Sequence, residues 1–458
     1  MQQVELSKEQ KALFEYIEGE DGNIFVTGRA GTGKSTLLTH LIENTKKSFA
    51  VCAPTGVAAL NVGGQTIHSL FGLPFELPKN PEDLARHLGR RTREVLRALD
   101  MLVIDEVSMV SAELLDAMDV MLRVARGRTR GPFGGAQVVM FGDPYQLAPV
   151  PPGSPEERAW VAENYRSYWF FDAHVWRDAG LERYELSEIF RQHDDNFKAV
   201  LNAIRDGSVT QDHLDVLNQA GNRFAPNDNV IRLATINATV DSVNNTRLAK
   251  LGTTPKQFAG KFVSGDLQTF GRQLPVDPSL VLKVGAQVMF IKNDDQNNRK
   301  TKEGLTIRRW VNGTIGKVTD IINDNHLVVE VDGEEFDVTA STWEKVRYEV
   351  EEDFDEATQK FREVVIPVTL AEYQQIPLRL AWAVTVHKSQ GQTYEDVVID
   401  MGRGAFSPGQ TYVALSRVRS LEGLYLTRAI TMQDIMVDAD VVRFMTGSGG
   451  IAPIERLF

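Results

Sequence analysis

Cysteine is almost missing from this chain: Cys52 is the only one in 458 residues, which excludes an internal disulfide and a thiolate metal cluster. Set in an apolar run, Cys52 is expected to fill a buried strand. No histidine pair has the spacing of a zinc-binding H-E-x-x-H helix. No apolar run approaches the ~20 residues that cross a bilayer. Residues 1–10 lack the basic start, apolar core and cleavage site of a secretory leader. A cytoplasmic protein with no membrane partner is expected. Internal repeats and low-complexity segments are also lacking. Positive charge is in deficit: 50 Lys and Arg against 62 Asp and Glu give a formal net charge of −12. That argues against coating duplex nucleic acid by overall attraction, while leaving room for a local basic channel. Arginines do cluster, at Arg86, Arg90, Arg91, Arg93 and Arg97 and again at Arg123, Arg126, Arg128 and Arg130. Each cluster reads equally as a solvated helix face or a nucleic-acid contact.

What is present is a packed, multidomain composition, 42% hydrophobic and long enough for about three domains. Residues 23–27, 49–53, 101–105, 137–141 and 169–171 read as buried strands separated by helical stretches, the pattern of a parallel sheet wrapped by helices. A second such set follows at 230–235, 379–384, 397–400 and 424–427, with a helix over 237–250. Between them, 286–292, 313–320, 326–331 and 335–339 are short β-rich runs joined by Asn-Gly, Asn-Asp and Asp-Gly turns. The expected organisation is a first α/β domain over 1–185, a second over 186–250 and 371–458, and an all-β barrel inserted at 251–370. The acidic run 349–356 is expected to be a solvated loop.

Chemistry concentrates at strand ends. Gly28-Arg-Ala-Gly-Thr-Gly33-Lys34-Ser35 fits G-x-x-x-x-G-K-[ST] after a strand and before a helix, the context a phosphate loop requires. Gly28, Ala30, Gly31, Thr32 and Gly33 would bring backbone N–H groups to phosphate oxygens of ATP. Lys34 would neutralise the β/γ charge, Ser35 would bind Mg²⁺, and Thr36 should lie nearby. Asp105 and Glu106 leave the strand Met-Leu-Val-Ile at its carboxyl end, where ligands bind in open α/β sheets. Asp105 is expected to hold Mg²⁺ through water, and Glu106 to orient and deprotonate the attacking water. Gly142-Asp-Pro-Tyr-Gln146 follows another strand and offers an uncharged amide, Gln146, as a γ-phosphate sensor. Arg191 and Arg417 lie far along the chain. Each could stabilise charge on the transferred phosphoryl from across a cleft, or form a surface salt bridge. Gln10, in the helix over 8–18, could read the edge of adenine or be a solvated helix glutamine.

With these residues assembled, the chain resembles the Pif (petite integration frequency) family of superfamily-one DNA helicases over roughly residues 6–424. The segment from Glu113-Leu-Leu-Asp116 through Arg123 and Arg126 to Pro132-Phe-Gly-Gly-Ala-Gln137 is similar to that family's signature and separates it from RecD-type and bacteriophage relatives. Other matches are Ala53-Pro-Thr55-Gly56, Thr66-Ile-His68-Ser69-Leu-Phe71-Gly72, Phe190-Arg-Gln192, Val311-Asn-Gly-Thr-Ile-Gly316, Val386-His387-Lys388-Ser389-Gln390-Gly391-Gln392-Thr393 and Tyr412-Val-Ala-Leu-Ser-Arg417. The resemblance implies two RecA-like parallel-sheet domains, a wedge insert at about 70–97 and an SH3-like inserted barrel. It further implies ATP and Mg²⁺ as cofactors and Gly391 at the nucleotide. The implied motion is 5′-to-3′ on single-stranded DNA, with single-strand/duplex junctions as partners, and the protein would be a monomer in solution. Roles in DNA replication, repair, recombination and telomere maintenance go with the family. Strand contacts would come from Thr55, Gly56, His68, Ser69 and Phe71 in the first domain and Thr385, His387, Lys388 and Ser389 in the second. Hydroxyl and basic groups hold phosphates without reading sequence, and an aromatic face stacks on a base. By residue type alone, His68 and Phe71 read equally as core, and Lys388 as an ordinary surface lysine. Ala148 departs from the family's usual proline, and residues 296–309 lengthen the connection before Val311. The lack of long flanking extensions leads us to expect no recruitment domains. A nucleotide-gated strand-binding switch and an RNA-remodelling ATPase share these motifs and are the alternatives.

Overall fold

The computed structural model describes residues 6–128, 130–192, 194–270, 274–294, 299–300, 306–307, 309–355, 360–447 and 454–457. Two compact units form: Glu5–Phe190 with Lys345–Thr369 and Asp438–Phe458, and Arg191–Glu344 with Leu370–Val437. Among the described residues no helix is long and apolar enough to cross a membrane.

The first unit is built on β1 (Ile24–Gly28), β2 (Phe49–Ala53), β3 (Gln65–Thr66), β4 (Met101–Ile104), β5 (Gln137–Phe141) and β6 (Glu182–Leu186). They form one sheet in the order β3-β2-β4-β5-β1-β6, every pair parallel. β1, β4 and β5 are buried at every position, as strands covered on both faces must be. Helix α1 (Lys8–Gly19) starts at a Ser7–Gln10 capping box and α2 (Lys34–Asn44) at Gly33. Their Leu13, Ile17, Leu37, Leu38 and Leu41 pack on Val26, Val103 and Val139. The helices α3 (Gly56–Asn61), α4 (Ile67–Phe71), α5 (Pro81–Arg86), α6 (Arg90–Ala98) and α7 (Ala112–Ala125) complete the part that matters for the site.

Three expectations need correction here. Residues 169–171 are not a strand: Trp169 makes one isolated bridge to Ser111, and Phe170–Asp172 is a 3-10 turn. Their rings belong to an aromatic cluster in which Phe171 stacks on Phe444 at 4.2 Å. The sheet's sixth strand is instead β6. That cluster, with the Arg183 guanidinium 4.0 Å over the Phe444 ring and Trp169 Nε1 donating to Asp438 at 3.0 Å, also ties residues after 437 to the first unit rather than the second. Finally, the acidic run is not a loop. Its residues 349–355 lie on the strand Ser341–Asp355, which pairs with Lys360–Gln375, and Glu356 falls outside the described residues. The part of this ribbon from Lys345 to Thr369 belongs to the first unit. β3 reaches only Cys52 and Ala53 of β2, and the next N–H along, that of Val51, donates to the Tyr348 hydroxyl at 2.9 Å. Val365 N–H donates to Ser48 Oγ at 2.9 Å, and Arg97 pairs with Glu363 at 3.0 Å. The ribbon thereby covers a sheet edge that β3 is too short to protect.

The second unit holds a parallel sheet in the order Ala383–Thr385, Ile231–Ala234, Val397–Asp400, Leu424–Leu426. It also holds an antiparallel sheet in the order Glu334–Thr339, His326–Val331, Ile315–Asn323, Gln287–Phe290, Leu378–Leu380. The latter is the inserted β domain, packed around Phe290 and Trp310, whose rings stack at 4.3 Å. The single strand expected over 379–384 is two: Leu378–Leu380 pairs in the antiparallel sheet and Ala383–Thr385 in the parallel one. Most of the lengthened connection at 296–309 lies outside the described residues.

Candidate nucleotide and strand sites

Because β4, β5 and β1 are adjacent and parallel, the segments leaving their carboxyl ends converge: Asp105 after β4, Gly142 after β5, and the phosphate loop after β1. Lys34 Nζ donates to the Gly28 and Arg29 carbonyls at 2.6 and 3.1 Å. Gly33 has φ +79°, and a Cβ there would lie 2.3 Å from Gln10 Nε2, so only glycine fits. Gln10 is 2% exposed. It accepts from Ser7 N–H at 2.9 Å and donates to the Gly33 carbonyl at 3.1 Å, clamping the loop from α1. Burial pushes the Asp105 carboxyl up to about 6; the Glu106 N–H, donating at 2.9 Å, and the Lys34 cation act in the opposite direction. Glu106 itself is held at φ +50°, a region that costs a non-glycine residue energy and is concentrated at functional sites. Gln146 is buried beside Asp143, to whose Oδ2 its amide donates at 3.4 Å.

In the second unit three separated motifs are knitted together. Arg191 donates to the Ser416 and Gly391 carbonyls at 3.1 and 3.2 Å. Arg417, 2% exposed, donates to the Val413 carbonyl and to Ser416 Oγ, both at 2.8 Å, and to the Gln392 carbonyl at 3.3 Å. Gln192 bridges the Ser416 and Val418 carbonyls. Burial, and then the Arg417 cation, depress the Arg191 guanidinium. Two cations held this close attract an anion such as a phosphate.

Of the candidate strand residues, Ser69, His387 and Lys388 are exposed and His68 is half-buried. Thr55 Oγ1 caps α3 by accepting from Ala58 N–H at 3.2 Å, beside an uncrowded Gly56. Three others point inward. Phe71 is fully buried, because Ile67, Leu70 and Phe71 share the inner face of α4. Ser389 is also fully buried, its hydroxyl donating to the Val386 carbonyl at 2.8 Å. Thr385 is 5% exposed and accepts from Lys388 N–H at 3.3 Å. In this structure none of the three presents a face to a strand; Ser389 and Thr385 shape the turn that exposes Lys388.

A profile of the PIF1-like helicase family matches residues 5–215. The ATP-dependent DNA helicase Pif1 of Bdellovibrio bacteriovorus is 32% identical over 446 residues, 96% of this chain and 92% of that protein. Human PIF1 is 33% identical over 426 residues, and there this chain spans 60% of the relative's length. The chain belongs to the PIF1-like helicase family. Among solved structures, Bacteroides Pif1 in complex with ADP-AlF4 superposes with a TM-score of 0.83 at 35% identity, covering 96% of each chain. Bacteroides Pif1 bound to ssDNA gives 0.66 at 36% identity, again covering 96% of each.

Within this Pif1-family chain the clustered arginines are largely committed. Arg90, Arg91, Arg97 and Arg123 pair with Glu94, Glu349, Glu363 and Asp119. Arg126 donates to the carbonyls of Gly134 and Arg97 at 2.9 and 3.1 Å and to that of Leu99. The aromatic that sequence reasoning missed is Phe75, 84% exposed and stacked on His68 with centroids 5.0 Å apart. Its signal was available: Gly72, left-handed at φ +67°, ends the helix whose spacing buries Phe71, and Phe75 lies beyond that end.

Proposed function

We infer that this chain is an ATP-dependent DNA helicase: it hydrolyses ATP and uses closure and opening of its two RecA-like units to move 5′-to-3′ on single-stranded DNA and separate duplex or folded DNA. What carries the reading is the division of chemistry. The phosphate loop and acidic pair stand in one unit, the knitted arginines in the other, in a chain whose relatives are named ATP-dependent DNA helicases. Lys34 would meet the β/γ-phosphates from a loop preset by Gln10 and Gly33, and Gln10 would reach adenine from the same place. Ala30, Gly31, Thr32 and Thr36 would line the phosphates. Gln146 would sense the γ-phosphate, Glu106 would take the proton of the attacking water, and Arg191, Arg417 and Gly391 would respond to the terminal phosphate. Phe190, the last residue of the first unit before Arg191, donates its N–H to the Gly31 carbonyl at 2.9 Å.

Ser35 and Asp105 fit Mg²⁺: a hydroxyl in the first turn of α2 and a carboxylate close enough to feel Lys34 make a hard, oxygen-only pair. Among the described residues no group of three or more His, Cys, Asp or Glu side chains could hold a metal ion, so nucleotide oxygens and water would complete the shell. When bound, the ion would neutralise phosphate charge. Strand phosphates would be met by Thr55, Gly56, His68 and Ser69 on one unit and His387 and Lys388 on the other. The working form would be a cytoplasmic monomer in solution, although one solved relative, 35% identical with a TM-score of 0.66, concerns the unwinding of forked dsDNA by two coordinating Pif1 helicases. Matched duplexes bearing a 5′ or a 3′ overhang test the reading. ATP-dependent separation only of the 5′-tailed duplex is expected; hydrolysis stimulated by DNA without any separation would favour a binding switch, and separation from the 3′ tail would reverse the polarity.

A further inference from the structure

In the second unit two consecutive residues hold both arginines. The Gly391 carbonyl accepts from Arg191 at 3.2 Å and the Gln392 carbonyl from Arg417 at 3.3 Å. Backbone bonds tie this loop to its surroundings: Gln392 N–H donates to the Ser389 carbonyl at 3.0 Å and Tyr394 N–H to that of Arg417 at 2.9 Å. A further contact leads to the inserted β domain. Gly313, in the turn before the strand Ile315–Asn323, is held at φ +93°, and a Cβ on it would overlap the side-chain amide of Gln392. The turn itself is well fixed. Gly313 N–H donates to the Phe290 carbonyl at 2.8 Å, Thr314 N–H to that of Val311 at 3.0 Å, and Asn312 N–H to Asn293 Oδ1 at 2.8 Å. Phe290 is fully buried in the core of the insertion, against Trp310.

The Gly391 and Gln392 carbonyls belong to the two rigid peptide planes that meet at the Gln392 Cα, so the φ and ψ of this one residue set the angle between them. A side chain lodged where a Cβ of Gly313 would stand restrains that residue from the side of the insertion, and only a glycine leaves the place open. We propose that Gln392 is a positioning residue, seated on Gly313 of the inserted β domain, and that this seat keeps the two carbonyls in the directions that aim Arg191 and Arg417 for ATP hydrolysis. The insertion thereby supports the hydrolytic arginines. The inference rests on the reading of those arginines as groups that respond to the terminal phosphate.

The test is steady-state ATP turnover by the full chain with oligo(dT) in excess. Gln392→Ala should lower kcat roughly tenfold, a fraction of the 10³ to 10⁵ carried by an arginine finger, because Arg417 keeps its bonds to Val413 and Ser416. KM for ATP, affinity for oligo(dT) and the thermal transition should not move. Gln392→Met, unbranched and flexible enough to fill the same place, should retain most of the turnover. Gly313→Ala breaks the same contact from the insertion, so the double variant should be no slower than the slower single one. Losses that multiply in the double variant, a Gln392→Met as slow as Gln392→Ala, or a loss that appears in KM or follows the thermal transition overturns the seat. Arg417→Ala separates the two readings. If it hydrolyses ATP at the full rate, the arginine assignment falls and the seat with it; a slow Arg417→Ala beside a Gln392→Ala of undiminished kcat removes the seat alone.

Discussion

Burial holds the Asp105 carboxyl at about 6, above its usual 3.8, against the pull of the Glu106 N–H and the Lys34 ammonium. The sign of the consequence follows from linkage: a carboxyl raised on folding favours the folded state below its unfolded value and loses that advantage as pH rises through the folded value. At neutral pH the ionised Asp105 therefore costs about 3 kcal/mol, at roughly 1.36 kcal/mol per unit. Asp105→Asn should stabilise the nucleotide-free protein at pH 7.5, and by about a third as much at pH 4.5, because the difference lies between the two values. Denaturant midpoints at the two pH values measure it; a gain independent of pH would mean that the charge is not the cause. Lys34 belongs to the same residue-scale account. Its ammonium is held on the Gly28 and Arg29 carbonyls, in the phosphate loop and not among the strand residues. Lys34→Ala should lower ATP turnover on the order of 10²-fold or more while leaving single-strand affinity nearly unchanged. Undiminished turnover would falsify its assignment.

Elements show what local patterns can and cannot reveal. β1, β4 and β5 were legible because a parallel strand buried on both faces is a continuous apolar run. β6, Glu-Arg-Tyr-Glu-Leu at the sheet edge, carries no such run, and the apolar Trp169-Phe-Phe171 imitated one while folding into an aromatic cluster. The acidic ribbon was hidden for another reason: its partner strand, Lys360–Gln375, follows closely in sequence, but its anchor on β2 is nonlocal, and no window of sequence contains both the ribbon and that anchor. At the sites, the phosphate loop, the acidic pair and the arginines were legible because each is a short motif beside a strand or turn. Which hydroxyls face outward was not, since the same Thr-x-x-x-Ser spacing serves a strand contact or, as in Thr385 and Ser389, a turn-closing bond. Tyr348 provides the element-scale prediction. Tyr348→Phe keeps the ring and deprives the buried Val51 N–H of its acceptor, so it should cost about 1–3 kcal/mol in a denaturation experiment. A change below about 0.5 kcal/mol, the range of ordinary surface substitutions, would show that the ribbon is not needed to satisfy this edge.

For the molecule as a whole, charge is the constraint. A protein of net charge −12, with Arg90, Arg91, Arg97 and Arg123 all in ion pairs, cannot grip a strand by a broad basic surface. On the proposed strand reading the grip would come from a few cations such as Lys388, from hydroxyl and backbone donors and from stacking, and only the first of these releases counterions. For single strands the slope of log affinity against log salt is about −0.7 per phosphate neutralised. With about three such contacts the slope should be near −2, a roughly fifteenfold loss for a fourfold rise in salt, and Lys388→Ala should flatten it by about 0.7. Nucleotide-free anisotropy titrations at several salt concentrations read both quantities. A slope steeper than about −5 would require at least seven or so neutralised phosphates. The paired arginines would then have to release their carboxylates on binding, and the strand would be held by charge after all.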